Sequence, residues 1–96
     1  MSYLLSNEVK QISLKYIPLW IHSATPHDCI TRQFIFKHFD ESWSFMSKVV
    51  KVSKKMNHHP EWVNINKIVI ITLTTHDKGG ITNKDIELAY NIDQLS

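Results

Sequence analysis

Ninety-six residues, 43% hydrophobic and 21% charged, describe one ordinary globular domain over residues 1–96 and leave no room for a second core. A net charge of +2 is too small to make nucleic acid the main partner, and Cys29, the only cysteine, excludes an internal disulfide and fits a reducing compartment. The longest aliphatic run, Ile68 to Ile71, is far too short for a membrane span, and MSYLLSNEVK lacks the order of a secretory signal, so a cytoplasmic location is expected, with the nucleus also open.

Leu5, Val9, Ile12 and Tyr16 follow the spacing of one helical face and Pro18 ends it, which predicts a first helix from about Ser6 to Ile17. Trp20 and Ile21 suggest a short strand, SATPHD a turn, and Cys29 to Lys37 a strand with Phe34 and Phe36 on one side and Ile35 on the other. Asp40 is read as the N-cap of a longer helix whose apolar face takes Trp43, Phe45, Met46, Val49, Val50, Val52 and Met56. Lys48, Lys51 and Lys55 form a second row on it, and Pro60 sets its end just before His58. Trp62 to Asn66 alternates, Asn66-Lys67 reads as a hairpin turn, and Ile68 to Thr74 is apolar enough for a central strand with Val69, Ile71 and Leu73 inward. After DKGG, Thr82 with Asp85 fits a capping box and Ile81 with Ile86 a hydrophobic staple, opening the last helix. The order α-β-β-α-β-β-α, with short connections, predicts an α+β fold: a four-stranded antiparallel sheet with three helices packed on one face.

Six histidines are many for this length. His22, His27 and His38 fall in or near turns and read as solvated surface residues. His58 and His59, within NHHPEW, open the third strand and His76 closes the fourth, so an antiparallel hairpin makes the three imidazoles neighbours. A zinc site is disfavoured, since adjacent ligands on extended chain point apart and no cysteine partner is near. Satisfying backbone groups at strand ends is the plain structural alternative. Acid–base catalysis without a metal fits three converging imidazoles best, because histidine titrates near neutrality and one ring can donate while another accepts. Cys29 sits inside a strand away from the trio and offers no nucleophilic site.

NHHPEW followed by a strand, then TLTTHDKGGIT and KDIELA, resembles the pterin-4a-carbinolamine dehydratases, as do the upstream ITRQFIFKHFDESWSFMSKV and the early Trp20. The resemblance runs from about Trp20 to Asp93. It implies a lyase that removes water from 4a-hydroxytetrahydrobiopterin to give quinonoid dihydrobiopterin, recycling the pterin used by aromatic amino-acid hydroxylases. It implies no metal and no cofactor, a homodimer or homotetramer, and the same sheet and helices. Carried over by motif, His58 and His76 are the candidate acid and base, in either order, and His59 binds and orients. His58, His59 and Pro60 with Thr75, His76, Asp77 and Lys78 match the family's pterin-contacting loops. Asp85 matches a family acid that would orient His76, a role compatible with its capping one. Trp62 could pack on substrate, although a core or interface role suits it better. Lys54 stands where family members often carry an acid, a departure expected to tune activity through the proton affinity of His58 or the substrate contacts. Some relatives also bind a transcription factor through the second helix, here Trp43 with Lys48, Lys51 and Lys55; the alternative is a core face beside a solvated lysine row. RNA binding through those lysines is disfavoured by the low net charge.

Overall fold

Ser6 opens the first helix, α1 (Asn7–Leu14), its hydroxyl accepting from the Val9 amide at 3.2 Å. In the computed structural model, which describes all of residues 1–96, α1 stops three residues short of the expected Ile17. The amides of Lys15, Tyr16 and Ile17 each reach back only three residues, a tightening that spends the helix before Pro18. Its buried stripe also differs from expectation. Val9, Ile12 and Tyr16 are exposed, and the inward positions are Lys10, Leu14 and Ile17. On that face Leu14 and Ile17 pack against the core and the Lys10 ammonium meets the Asp28 carboxylate at 2.8 Å, contacts the outward face does not have.

The strands are β1 (Ile21–Ser23), β2 (Cys29–Ile35), β3 (Glu61–Ile65) and β4 (Ile68–Leu73), in the spatial order β1-β2-β4-β3 with every pair antiparallel. The Asn66-Lys67 hairpin is present, and Asn66 takes the left-handed conformation that asparagine tolerates (φ 53°). The second helix, α2 (Phe39–Met56), is capped by His38 rather than Asp40; the His38 amide donates to Glu41 at 3.0 Å, and Asp40 lies in the first turn. Asn57, at φ 53°, ends α2 one residue before His58. After β4 the chain makes one 3-10 turn (His76–Lys78), closes at Gly79 with φ +79°, and enters the third helix, α3 (Asn83–Asp93).

All three helices cover one face of the sheet, so each strand sends alternate residues into a single core. Ile30 and Phe34 of β2 and Val69, Ile71 and Leu73 of β4 meet Phe45, Met46 and Val49 of α2 and Leu88, Ala89 and Ile92 of α3. Burying a side chain of this size stabilises the fold by about 1.5–3 kcal/mol. The early tryptophan is part of this frame: Trp20 is buried, and its indole N–H donates to Asp93 at 2.8 Å, where Arg32 also pairs at 2.6 Å. Residues 3–5 lie along the entry to α3. The Leu5 amide donates to the Ile81 carbonyl at 3.1 Å, the Asn83 amide to the Tyr3 carbonyl at 3.3 Å, and the Tyr3 amide to Asn83 Oδ1 at 2.9 Å. No helix is long and apolar enough to cross a membrane.

Candidate active site

Three pieces of chain meet at the end of the β3–β4 hairpin: the link from α2 to β3, the segment after β4, and the first turn of α3. Asp85 joins them. Its side chain is fully buried and accepts from the Thr82 amide at 2.9 Å, from the Thr75 hydroxyl at 2.8 Å and from His58 Nε2 at 2.5 Å. The capping role expected from the sequence is therefore present, but the imidazole that Asp85 holds is that of His58, not His76. Because the carboxylate is an acceptor for all three, His58 presents an Nε2–H to it and keeps Nδ1 for other work. The His58 side chain is 12% exposed, so it is oriented from within.

His76 lies just beyond Thr75, and its carboxylate partner is Glu61, at 2.6 Å from Nε2. Both side chains stand in solvent, 70% and 59% exposed, so the pair orients the ring while adding little stability. The hairpin register explains the meeting: Glu61 pairs with Thr72, four residues before His76. Glu61 went unnoticed as a site residue in the sequence, although a charged residue at a strand start opposite a known position is the signal that finds it. His27 is exposed, as its turn setting predicts. Its ring stands edge-to-face with His76, centroids 6.4 Å apart. His22 is not free either, since Nε2 meets Asp28 at 2.6 Å, and His38 belongs to the α2 cap.

His58 and His59 precede β3 rather than opening it, and His76 follows β4 rather than closing it. His59 is exposed and faces a different hollow, of about 210 Å³, lined by Val50, Ser53, Lys54, Pro60 and Trp62. Lys54 is thus on the wall of that hollow, with His59. The Ser53 hydroxyl at its base is buried with no hydrogen-bond partner. Thr75 is buried, while Asp77 and Lys78 are exposed on the 3-10 turn. A wider hollow of about 530 Å³ adjoins it between α2 and β3, lined by Trp43, Met46, Ser47, Val50, Trp62 and Asn64. Trp43 and Val50 are exposed there, so the α2 apolar face is only partly core. No three histidine, cysteine or carboxylate side chains come together in a way that could hold a metal ion. Burial, together with the charges of Asp28 and Glu61 and against a hydrogen bond with Thr31, holds the Cys29 thiol above its usual range, which keeps it protonated and a poor nucleophile.

Residues 3–95 match the family described as pterin 4 alpha carbinolamine dehydratase. A Rhodopseudomonas palustris (strain BisB18) protein provisionally named pterin-4-alpha-carbinolamine dehydratase is 44% identical over 92 residues, covering 96% of this chain and 90% of its own. One from Prochlorococcus marinus (strain NATL2A), with the same provisional name, is 51% identical over 78 residues, covering 81% and 79%. Among solved structures, a transcriptional coactivator/pterin dehydratase from Brucella melitensis superposes with a TM-score of 0.90 at 31% identity, covering 97% of this chain and 98% of that one. A pterin dehydratase-like protein described as a RuBisCO assembly factor of the alpha-carboxysome shares the fold, at TM-score 0.67 and 21% identity over 79% of this chain and 87% of its own.

Proposed function

The chain belongs to the pterin 4 alpha carbinolamine dehydratase family, and from that premise we propose that it is a hydro-lyase converting 4a-hydroxytetrahydrobiopterin to quinonoid dihydrobiopterin, as a recycling step for aromatic amino-acid hydroxylation. The reading is carried by one observation: two imidazoles of the resemblance's motifs are each held through Nε2 by a carboxylate, His58 by buried Asp85 and His76 by exposed Glu61, and Thr75, next to His76, is also bonded to Asp85. The reaction needs two proton transfers. An acid protonates the hydroxyl on the ring-fusion carbon, the C–O bond breaks and water leaves. The neighbouring ring nitrogen gives its proton to a base, and its electron pair forms the new C=N bond. His58 and His76 supply acid and base through their open Nδ1 atoms, in either order. Asp77 and Lys78, exposed beside His76, are the side chains proposed to border the substrate, with backbone groups of Thr75 and of His59-Pro60, although the His59 ring itself faces the separate 210 Å³ hollow. No metal or cofactor takes part.

The decisive experiment follows the decay of freshly generated hydroxylated pterin in the ultraviolet with and without purified protein. Acceleration that saturates with substrate is expected; decay at the spontaneous rate, beside an active relative, refutes the reading. The proposed setting is cytoplasmic, with the nucleus also open, and the proposed assembly is a homodimer or homotetramer.

A second role has its own observation. Trp43 and Val50 are exposed on α2 and share the 530 Å³ hollow with Trp62, a surface suited to a protein partner such as a transcription factor that dimerises through it. Replacing Trp43 with Glu is expected to shift the elution volume in size-exclusion chromatography, or to release a captured partner, while leaving dehydration intact.

A further inference from the structure

We propose that Asp28 is a positioning residue for His76, gripping at both ends the segment that carries it. This rests on the dehydratase reading above and adds a residue outside the quoted segments on which the resemblance was drawn. The Asp28 carbonyl accepts from the Thr74 hydroxyl at 2.8 Å, where the chain leaves β4. Its carboxylate accepts from the Ile81 amide at 3.2 Å, where the chain turns into α3. Residues 75–80 are therefore strung between two contacts with one residue. Inside that span, Thr75 is bonded to Asp85 and Thr82, and the Lys78, Gly79 and Gly80 amides all return to the Thr75 carbonyl. The stretch behaves as a small rigid loop whose mounting is Asp28.

The mounting is itself braced from two other elements. Lys10 of α1, 8% exposed, donates to Oδ2 at 2.8 Å, and His22 of β1 meets Oδ1 at 2.6 Å. Burial favours the neutral acid, but these two partners and the Ile81 amide outweigh it and keep the carboxyl below its usual range, so the Lys10 brace joins opposite charges. The packing is equally close. A Cβ on Gly80 would stand 2.9 Å from Asp28 Oδ2 and 3.4 Å from Leu4 Cδ2. A carboxylate free to swing would yield to that methyl; one pinned by three donors does not. Gly80 is thus needed for room, whereas Gly79 is needed for its backbone angle. The His76 ring is 70% exposed and rests only on Glu61 and the edge of His27, so its position is set chiefly by the loop beneath it.

A hub that served stability alone would behave differently from a mounting, and three variants separate them. Gly80→Ala presses on the clasp without changing any charge. Asp28→Asn weakens the carboxylate's hold on the Ile81 amide while keeping a side-chain acceptor. Lys10→Met removes the brace on α1 and leaves both loop contacts in place. The first two are expected to speed amide hydrogen exchange at Lys78, Gly79 and Gly80 by about tenfold or more, with Val69 and Ile71 unchanged. They are also expected to lower kcat by about 10–100-fold with KM little changed, as misplacement of one catalytic group does. Lys10→Met is expected to lower the melting temperature with kcat near the parent value. The proposal is overturned if exchange at 78–80 stays at the parent rate in Gly80→Ala and Asp28→Asn, or if all three variants lose only stability. Should the parent itself show no dehydration, the functional reading fails, and the exchange pattern alone still decides whether Asp28 mounts the loop.

Discussion

Asp85 and Glu61 do the same thing to two different imidazoles in opposite environments, and their replacement should therefore have different costs. The Asp85 carboxylate is fully buried and holds together His58, Thr75 and the α3 cap. Asp85→Ala is expected to cost about 1–3 kcal/mol or more, read from urea denaturation, because three donors lose a buried acceptor. Glu61→Gln leaves an exposed pair weakened and is expected to change stability by less than about 1 kcal/mol. His58→Ala and His76→Ala are each expected to slow turnover by about 10²–10⁴-fold with the fold retained, checked by circular dichroism beside the rate assay. Asp28 provides the pH test. Its folded pKa lies below the unfolded value near 3.8, so its contribution is present above that value and disappears as pH falls through the folded one. Urea midpoints measured from about pH 5 down to pH 2 should drop less steeply for Asp28→Asn than for the parent. Cys29, kept as a thiol by burial, is expected to react with iodoacetamide at pH 8 far more slowly than free cysteine does.

Among the elements, strand identity and the last helix were legible because their signals are local. Val69, Ile71 and Leu73 alternate on a strand and all three are fully buried, and Leu73→Ala is expected to cost about 2–5 kcal/mol in the same urea assay. The Thr82-Asp85 capping box and the Asn66-Lys67 hairpin need only residues a few positions apart. Where the reading went astray, a distant partner decided. The apolar stripe of α1 looked like its core face, yet the inward side carries Lys10, which meets Asp28, eighteen residues on. Asp40 has the side chain of a good cap, but the chain arriving from β2 is still extended at His38, which places the cap there and Asp40 in the first turn. The candidate site divides the same way. The motif placed His58, His59 and His76 near one hairpin, while the assignment of Asp85 to His58 and of Glu61 to His76 depends on tertiary register that no local pattern encodes.

At the scale of the whole molecule, the central pairing joins Ile30 to Leu73, and α2 with the β3 strand is enclosed between the partners. Such a topology closes a long loop before its sheet is complete, which favours slower folding than a helical bundle of equal length. The entry to α3 extends this dependence to the early residues. Tyr3 and Leu5 bond to Asn83 and Ile81, so residues 3–5 have partners more than seventy positions further along the chain. On the ribosome these early residues stay unmatched until residues 81–83 clear the exit tunnel. Residues 3–5 therefore stay open to proteases until all four strands have emerged, and their seam with residues 81–83 closes only after the sheet can form.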